Sequence, residues 1–553
     1  MSSVISALQQ ARLEYQPKLP KALRSANISV EFGANTVPAT DVEAIRVLFP
    51  HTFGQPEAKI TNSGAPLNTK PIKVGVVLSG GQAPGGHNVI AGLFDALKSA
   101  NADSQLYGFL KGPGGIIKGK YKELTASIID AYRNTGGFDI IMSGRDKIEK
   151  AEDLAACAAN FAIMDLDGVV VIGGDDSNTN ASVLAEYLKA KGSKTVVVGV
   201  PKTIDGDMKN EQIEASFGFD TAARTYSELI GNICRDAQSA VKYWHFIRLM
   251  GRAASHVALE CALQTQPNIT LISEEIQEKG TTLNEIVDYI ASVIIKRADA
   301  GMNYGILLVP EGLPEFISDI KAMIEELSII LGRDEKYIDT LTDHSERLQY
   351  LSGQLSDHSA RVYNTLPTDI QEVLLRRDSH GNVPLSQVET ERLLIDLVSD
   401  KLNLLKERGE ATNVKFSPLG HFFGYEGRCA FPSNFDADYC YSLGFAAAQL
   451  VRAGITGYTA NVQNVTKPCD EWVAGGTPVT MMLNIEIRKG KPTPVIKKAL
   501  VDLNDAPFQY FAANRDNWAS NDEFLFPGPI QYFGPASVCD APTKTLALEK
   551  GVA

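Results

Sequence analysis

One turn of the chain carries the residue types that phosphoryl transfer requires. It reads PKTIDGD over residues 201–207 and follows a short β-branched run. A carboxylate can accept the proton of an attacking hydroxyl, and a lysine can neutralise charge on a moving phosphoryl group. An ordinary polar loop is the alternative interpretation. The turn is therefore a candidate for both proton abstraction and phosphate binding.

A second turn, GGDDSN over residues 173–178, places two adjacent carboxylates after another apolar run. Helix capping explains one Asp or Ser at such a position, but it explains two acidic residues poorly. Mg²⁺ prefers carboxylate oxygens together with phosphate oxygens. One of Asp175 and Asp176 is therefore a candidate metal ligand.

A glycine-rich turn, SGGQAPGGHN over residues 79–88, precedes a predicted helix. Glycines let backbone N–H groups approach a phosphate, and a helix N-terminus adds a favourable dipole. The turn contains neither a Walker A sequence nor GxGxxG, and a tight strand-to-helix turn is the alternative. It is a candidate phosphate loop.

Further charged residues follow glycines at later turns. Arg252 in the run MGR and Arg428 in the run GYEGR can reach a phosphate bidentately, with a surface ion pair as the alternative for each. Glu311 in the run PEG can bond sugar hydroxyls or cap a helix. Because the whole chain carries a net charge of −13, any anion site must concentrate its cations locally.

The elements that position these turns belong to an α/β, doubly wound fold. Helix-like segments such as residues 87–100 and 180–191 alternate with continuous apolar strands, which is typical of parallel sheets covered on both faces. The predicted strands are Lys73–Ser79, Phe138–Ser143, Gly168–Ile172, Thr195–Val200, Phe246–Met250 and Tyr304–Val309. Ligands bind at the carboxyl ends of such strands, where the candidate turns lie.

Composition narrows the class of protein. The chain has 553 residues, with 53 Lys and Arg against 66 Asp and Glu, so nucleic acid and anionic membranes are not expected partners. No apolar run approaches the roughly 20 residues that span a bilayer. Seven irregularly spaced cysteines without CxxC indicate free thiols. We therefore expect a cytoplasmic protein.

Read together, the runs GGQAPGG, GGDDSN, PKTIDGD, MGR, PEG and GYEGR resemble the phosphofructokinase family, in that order from about residue 72 onward. The resemblance is greatest to its long, pyrophosphate-dependent members, which carry an N-terminal extension and a helical insertion. It implies reversible, Mg²⁺-dependent transfer of a phosphoryl group from inorganic pyrophosphate to the 1-hydroxyl of fructose 6-phosphate. The products would be fructose 1,6-bisphosphate and phosphate.

The resemblance also implies a domain plan with two doubly wound domains. The donor and Mg²⁺ domain is expected at 72–217 with a return at about 428–485. The sugar-phosphate domain is expected at 218–314 with returns at about 411–427 and 486–520. Three further segments are an N-terminal extension over 1–71, a mostly helical insertion over 315–410 that is rich in Leu, Glu and Lys, and a C-terminal segment over 521–553.

On the donor side, the resemblance gives Gly80 and Gly81 to the pyrophosphate loop and Arg145 to donor binding, with Asp175 as the metal ligand. Asp176 and Lys202 stand where ATP-using relatives carry glycine. Asp176 would exclude a nucleotide by size and charge. Lys202 would stabilise the transferred phosphoryl group.

On the acceptor side, Asp205 would be the base that takes the proton of the sugar hydroxyl. The residues that would hold fructose 6-phosphate are Thr203, Ile204 (through its backbone), Asp205, Met250, Gly251, Arg252, Glu311, Tyr425 and Arg428. Lys242 and Tyr243 are similar to the stretch that reaches the sugar phosphate of a neighbouring subunit, which implies a homo-oligomer or a hetero-oligomer with a related subunit.

Three alternatives remain at this point. An ATP-dependent phosphofructokinase would carry glycine in place of Asp176 and Lys202. A non-catalytic regulatory subunit would lose the base or the metal ligand, whereas Asp175, Lys202 and Asp205 are all present. A NAD- or lipid-kinase-like enzyme would not be expected to carry MGR, PEG and GYEGR.

Overall fold

The computed structural model describes residues 7–341, 343–375, 388–488, 491–528 and 540–552. The chain divides into two compact units. The first unit takes the described residues within Met1–Thr225, Tyr425–Ala499 and Ile530–Ala553. The second unit takes those within Tyr226–Gly424 and Leu500–Pro529. No helix among the described residues is long and apolar enough to cross a membrane.

The strands lie in three sheets and are numbered in chain order. They are β1 (Ser29–Asn35), β2 (Pro56–Thr61), β3 (Lys73–Ser79), β4 (Gln105–Phe109), β5 (Tyr121–Glu123), β6 (Ser143–Gly144), β7 (Gly168–Gly173), β8 (Val196–Thr203), β9 (Phe217–Gly218), β10 (Tyr243–Leu249), β11 (Ile269–Thr270), β12 (Tyr304–Pro310), β13 (Pro418–Phe423), β14 (Tyr458–Gln463), β15 (Val473–Pro478), β16 (Leu483–Arg488) and β17 (Lys491–Ile496).

The α-helices are numbered in the same way. They are α1 (Ala7–Glu14), α2 (Val42–Leu48), α3 (Gly86–Ala100), α4 (Pro113–Ile117), α5 (Ala126–Asp130), α6 (Ala151–Met164), α7 (Asp175–Ala190), α8 (Phe219–Ala240), α9 (His256–Thr265), α10 (Ser273–Glu278), α11 (Leu283–Asp299), α12 (Ser318–Ile338), α13 (His344–Gln354), α14 (Asp357–Thr365), α15 (Thr368–Leu374), α16 (Thr390–Glu407), α17 (Tyr425–Arg428), α18 (Asn434–Arg452), α19 (Ala506–Ser520) and α20 (Lys544–Glu549).

The first unit is built on a large mixed sheet in the order β1-β2-β15-β14-β8-β7-β3-β4-β5, with β6 beside β3 and β9 beside β8. Strands β14, β8, β7, β3 and β4 run parallel, so their carboxyl ends share one edge. Residues of β7 are buried throughout because helices cover both faces. The parallel core therefore collects the turns after β3, β7 and β8 at one edge.

Two helix layers cover this sheet. On one face, α6 and α7 pack Phe161 and Leu184 against Val77, Val169 and other strand residues. The other layer contains α3 and α18, which approach closely because both carry glycine at the contact. A Cβ on Gly444 would lie 2.1 Å from a carbonyl oxygen of α3. The doubly wound architecture expected from the sequence is present.

The N-terminal residues join the first unit's sheet. Strands β1 and β2 pair antiparallel, and β2 continues the sheet beyond β15. Nearer the start of the chain, the Lys18 N–H donates to Asp438 Oδ1 at 2.8 Å, and Tyr15 Oη donates to the same oxygen at 3.0 Å. These bonds attach the segment before β1 to the first turns of α18.

The predicted strand Phe138–Ser143 is wrong, because only Ser143 of that run pairs with a neighbouring strand. Phe138, Ile140 and Ile141 are buried, but their backbone is irregular. The Phe138 ring fills space over Gly86, where a Cβ would lie 2.2 Å from it. The residues of this run are therefore apolar because they pack against α3, and not because they form a strand of the sheet.

The second unit contains a four-stranded parallel sheet in the order β11-β12-β10-β13. Its core gathers Trp244 and Phe246 of β10 with apolar side chains of α11 and α16. Helices α12 to α16 lie within the predicted helical insertion, residues 315–410, and fill most of it; residues 342 and 376–387 of that range lie outside the described residues.

The boundaries of the units differ from those predicted. The first unit continues to Thr225 instead of ending at 217, and its later return covers Tyr425–Ala499 instead of about 428–485. Residues 486–499 were expected in the sugar-phosphate domain, but they belong to the first unit. The reason is the hairpin of β16 and β17, whose Leu483 and Ile496 pack with Ile45 of α2 in that unit.

The six cysteines among the described residues carry free thiols, in agreement with the sequence. Cys539 lies outside the described residues.

Candidate active site

Strand β8 delivers the PKTIDGD turn to the shared carboxyl edge of the first unit. Lys202 and Thr203 are its last residues, and they pair with β9 on one side. The Asp205 N–H donates to Thr203 Oγ1 at 3.0 Å, which closes a tight turn. Ile204 is buried, whereas Asp205 is half-buried. The turn is thus anchored by an apolar side chain, with the carboxylate of the predicted base near the surface.

Lys202 is a buried cation among opposite charges. Only 8% of the residue is exposed, and burial lowers the pKa of its ammonium to about 8. The carboxylates of Asp205, Asp175 and Asp207 oppose that pKa shift, whereas Arg428 adds to it. The two predicted turns and Arg428 therefore act on one ammonium, as a site for an anionic ligand and a cation would require.

The glycine-rich loop lies close to two cationic side chains, Lys202 and Arg428. Gly80 has a φ of +83°, and a Cβ there would lie 3.5 Å from Lys202 Nζ. A Cβ on Gly81 would lie 2.5 Å from Arg428 Nη2, closer than side chains approach. Arg428 Nη2 also donates to Gln82 Oε1 at 2.6 Å. Glycine at 81 is therefore what lets the guanidinium lie against this loop.

Asp175 begins helix α7, so the two carboxylates of GGDDSN occupy the first helical turn and not a loop before a helix at 180. Burial raises the pKa of Asp175, and the Lys498 ammonium opposes that rise. Lys498 Nζ lies 3.7 Å from Asp175 Oδ2 and 3.6 Å from Asp207 Oδ2. Two carboxylates from two different strand ends thus share one cation.

This pair fits a magnesium ion in donor chemistry. Asp175 and Asp207 offer oxygens on either side of one cation position, and Mg²⁺ takes one or two carboxylates with water and substrate phosphate. Among the residues that the structure describes, no group of three or more His, Cys, Asp or Glu is placed to hold a metal.

Asp176 points to a different partner. Its Oδ2 lies 3.6 Å from Lys147 Nζ, and both side chains are about half exposed. Arg145 is exposed and directly follows β6, which pairs with the end of β3. The Gly80 N–H donates to the Gly144 carbonyl at 2.9 Å, so this short strand is joined to the glycine-rich loop.

In the second unit, the MGR and PEG runs come together at the carboxyl ends of β10 and β12. The Gly251 N–H donates to Glu311 Oε2 at 3.3 Å, and the Gly312 N–H donates to the Gly251 carbonyl at 3.3 Å. A Cβ on Gly312 would lie 1.9 Å from the Arg252 carbonyl oxygen. Met250 is held by its N–H bond to the Phe423 carbonyl, and Arg252 is exposed.

Lys242 and Tyr243 are not brought to that group. They lie at the amino end of β10, whereas Met250 begins the turn at its carboxyl end. Seven residues of strand separate the two ends by roughly 20 Å. The Lys242 ammonium lies 4.4 Å from the centroid of the Tyr243 ring, so these two side chains form a separate cationic feature.

The predicted acceptor residues thus divide between the units. Thr203, Ile204, Asp205, Tyr425 and Arg428 belong to the first unit, and Met250, Gly251, Arg252 and Glu311 belong to the second. Arg428 was predicted to help hold fructose 6-phosphate, which stays a prediction; within the first unit its guanidinium lies against the glycine-rich loop. Tyr425 is 70% exposed and lies beside Arg428.

Sequence reasoning missed Gln82, Lys147 and Lys498 and did not assign a role to Asp207. Gln82 and Asp207 lie inside predicted turns, so the sequence could have indicated that they belong to the site. Lys147 lies two residues after Arg145 and offered a weaker signal. Lys498 lies in the run IKKAL and offered none, because its neighbours in space are about 290 residues or more away in the chain.

Comparison with known proteins shows the family. Residues 73–347 match the family described as phosphofructokinase. The chain is 53% identical over 546 residues to a pyrophosphate–fructose 6-phosphate 1-phosphotransferase of Porphyromonas gingivalis, covering 99% of both chains. It is 49% identical over 554 residues to the beta subunit of that enzyme from Solanum tuberosum, covering 100% of this chain and 95% of the relative.

A solved structure shares the fold at low identity. The pyrophosphate-dependent phosphofructokinase of Marinobacter aquaeolei aligns with a TM-score of 0.52 and 14% identity, over 82% of this chain and 93% of that one. Parallel strands that present a glycine loop, carboxylates, a buried lysine and a half-buried arginine at one edge are typical of an enzyme of phosphoryl transfer. The chain belongs to the phosphofructokinase family.

Proposed function

We propose that the chain catalyses reversible, Mg²⁺-dependent phosphoryl transfer from inorganic pyrophosphate to the 1-hydroxyl of fructose 6-phosphate, a step of glycolysis. The observation that carries this proposal is the placement of Lys202 and Arg428 against Gly80 and Gly81. Two cations beside backbone that carries no side chain would form a compact site for a diphosphate. Relatives with the corresponding name match nearly the whole chain at about 50% identity.

The chemistry follows from the residues of the first unit. The sugar 1-hydroxyl attacks the terminal phosphorus of pyrophosphate, and its proton passes to the Asp205 carboxylate. The new O–P bond forms as the bridging P–O bond breaks, and orthophosphate leaves. Lys202 and Arg428 stabilise negative charge on the transferred group, which is the main task of the protein in such reactions. In the reverse direction Asp205 returns the proton.

Asp175 and Asp207 would hold Mg²⁺, which supplies charge neutralisation to the diphosphate when bound. In the structure, the Lys498 ammonium lies near both of these carboxylates. Arg145, beside the end of β3, would contact the donor from the other side of the loop.

On the acceptor side, Arg252 would bind the sugar phosphate and Glu311 the sugar hydroxyls. Glu311 already accepts from the Gly251 N–H, so its carboxylate is fixed in direction. Met250 and Tyr425 would contact the sugar. Thr203 and Ile204 would line the acceptor near Asp205 because they precede it on the same turn.

The proposal is tested by measuring fructose 1,6-bisphosphate formation from fructose 6-phosphate and Mg²⁺, with pyrophosphate or ATP as the sole donor. We expect activity with pyrophosphate alone. Asp205→Ala should abolish turnover while leaving fructose 6-phosphate binding largely intact. Activity with ATP alone would overturn the donor assignment, and no activity with either donor would favour a regulatory subunit.

Donor choice has its own variant. Asp176 would exclude a nucleotide by its size and charge, and its Oδ2 lies 3.6 Å from Lys147 Nζ. Asp176→Gly should therefore raise activity with ATP relative to pyrophosphate. Unchanged exclusion of ATP in this variant would assign donor choice to other residues.

Assembly into an oligomer is part of the proposal. Lys242 and Tyr243, at the far end of β10, would reach the sugar phosphate bound by a neighbouring copy. Plant relatives are named as alpha and beta subunits, so a related partner chain is the second arrangement to test. Lys242→Ala should raise KM for fructose 6-phosphate in an oligomer whose size, measured by sedimentation, is unchanged. An unchanged KM would remove this role.

We place the reaction in the cytoplasm, which is consistent with the free thiols of the described residues. Cell fractionation with an antibody to the chain tests this placement.

A further inference from the structure

Lys498 lies outside every motif of the sequence, and backbone hydrogen bonds on either side of it hold its position in the chain. It follows β17 by two residues. The Ala499 N–H donates to the Asp207 carbonyl at 2.8 Å, and the Lys497 N–H donates to the Met482 carbonyl at 3.2 Å. The chain therefore runs directly past the PKTIDGD turn, and the side chain of Lys498 extends toward α7.

The ammonium of Lys498 faces two carboxylates at once. Its distances to Asp175 Oδ2 and Asp207 Oδ2 are 3.7 and 3.6 Å, longer than a good hydrogen bond and nearly equal. Asp207 is 7% exposed and the Asp175 side chain is 27% exposed, whereas the Lys498 side chain is 41% exposed. The lysine is the longest and the most exposed of the three side chains, so it is the partner best able to change its position.

A magnesium ion at Asp175 and Asp207 would compete for the same oxygens. Two cations repel each other at such a short distance, so metal binding must weaken the hold of Lys498 on these carboxylates. The metal would arrive with a diphosphate, whose oxygens offer the ammonium new partners of opposite charge. The four-carbon stem of lysine lets it turn toward them without backbone movement.

We propose that Lys498 is a donor-binding residue that exchanges partners: it bridges Asp175 and Asp207 in the free enzyme and binds a pyrophosphate oxygen when Mg²⁺ takes these carboxylates. This inference rests on the proposed function of the site. Its consequence is that Lys498 opposes binding of the metal alone and favours binding of the metal together with pyrophosphate. The two effects have opposite signs, which a purely structural ion pair would not produce.

The experiment uses the full chain and its Lys498→Met variant. Mn²⁺ affinity is measured by electron paramagnetic resonance without pyrophosphate, and affinity for methylene diphosphonate, a non-hydrolysable analogue, is measured by calorimetry in excess Mg²⁺. We expect Lys498→Met to bind Mn²⁺ alone up to about fivefold more tightly, the scale of an exposed ion pair. We expect it to bind the diphosphonate about tenfold more weakly, the scale of a charged hydrogen bond.

Two further variants give the controls. Lys498→Arg keeps the charge and should stay close to the unmodified chain in both affinities. Lys194→Met removes a comparably exposed lysine that pairs with Asp165 and Asp167 and should change neither. Unchanged Mn²⁺ affinity in Lys498→Met, or a change of the same sign in both measurements, would overturn the proposal.

The outcome is separable from that of the proposed function. Product formation from pyrophosphate by the unmodified chain, with unaltered affinities in Lys498→Met, would remove only the role of Lys498. Absence of pyrophosphate-dependent product in the unmodified chain would remove both.

Discussion

The buried carboxylate of Asp436 accepts a hydrogen bond from the Gly218 N–H at 3.1 Å, and Gly218 pairs with Thr203 at the end of β8. Its other oxygen accepts from the Thr221 N–H at 2.9 Å. The φ of Gly218 is +93°, and a Cβ there would lie 2.7 Å from Ala83 of the glycine-rich loop. Helix α18 thus holds β9, and β9 holds the strand end that carries Lys202.

Asp436→Ala should lower turnover because it displaces the end of β8 that carries Lys202, and not because Asp436 contacts the substrate. The variant leaves the N–H groups of Gly218 and Thr221 without their acceptor, so β9 and the end of β8 lose their support. A displacement of about 1 Å at a reacting group can cost on the order of a hundredfold in rate. We therefore expect kcat with pyrophosphate to fall by about that factor, and circular dichroism at the assay temperature to show a folded protein.

Ser442→Ala is the matched control for Asp436. Ser442 lies on the same helix and is fully buried, and its hydroxyl makes no hydrogen bond within the described part of the chain. It should leave kcat unchanged. A fall in melting temperature without a fall in kcat for Asp436→Ala would make Asp436 a stability residue only.

Gly81→Ala should weaken donor binding. The new Cβ would lie 2.5 Å from Arg428 Nη2, so the guanidinium must leave its hydrogen bond to Gln82. Loss of one charged hydrogen bond corresponds to about a tenfold rise in KM for pyrophosphate. Gly332→Ala on α12 is the control, because nothing lies within 4 Å of its Cβ position and alanine favours a helix. An unaltered KM in Gly81→Ala would show that the donor does not need Arg428 in this position.

The pH dependence of turnover should reflect Lys202. Burial lowers the pKa of this ammonium to about 8, so it loses its proton and its charge as pH rises through about 8. Because the charged form would stabilise the transferred group, and this pKa is that of the enzyme without substrate, we expect kcat/KM for pyrophosphate to fall above that pH. Below that pH the lysine is protonated, so it causes no loss of activity there.

The variant Lys202→Arg tests whether the loss of activity at alkaline pH, the alkaline limb of the pH profile, is caused by Lys202. A guanidinium keeps its charge throughout the accessible range, so the alkaline limb should move upward in pH. Turnover at pH 7 should also drop, because arginine presents a broader, planar group. A limb at the same pH in this variant would attribute it to a different group.

The second unit contains a buried ion pair between the helical insertion and β10. Arg248 Nε lies 2.7 Å from Glu391 Oε2, and both side chains are about one-tenth exposed. Glu391→Leu would leave the guanidinium buried without this carboxylate, at a cost of about 3–5 kcal/mol in the free energy of unfolding. Urea unfolding measures the loss.

The double variant Arg248→Met/Glu391→Leu should recover most of that stability, because no charge then remains buried. Arg392→Met on the same helix removes an exposed pair with Glu389 and should cost less than about 1 kcal/mol. Equal losses in Glu391→Leu and Arg392→Met would show that burial does not set the strength of the Arg248–Glu391 pair.

The elements that sequence predicted correctly share one property, burial on both faces. Lys73–Ser79 and Tyr304–Val309 correspond to β3 and β12 because parallel strands under two helix layers are apolar along their whole length. Phe138–Ser143 has the same composition, yet it packs under α3 without a pairing partner beyond Ser143. Composition records burial, and only the arrangement of neighbouring backbone distinguishes a strand from a buried irregular segment.

The sequence by itself indicated which turns bring candidate phosphate-binding, metal-binding and base residues to one edge of the sheet. Gly80, Asp175, Lys202 and Asp205 could be found because each turn directly follows a strand that composition reveals, and parallel strands present such turns at one edge. The family could be found for the same reason, since its motifs are these turns in order. Local sequence is enough where function depends on residues that are neighbours along the chain.

Only the tertiary structure decided which distant groups complete that edge. Arg428 reaches Gly81, Asp436 supports Gly218, and Lys498 joins Asp175 to Asp207, each across more than 200 residues of chain. Such contacts leave no local pattern in the sequence, because a charged loop residue has the same kind of sequence neighbours whether its side chain contacts solvent or a distant carboxylate. Their partners are set by how α18 and the β16–β17 hairpin pack on the first unit, which is a property of the folded chain.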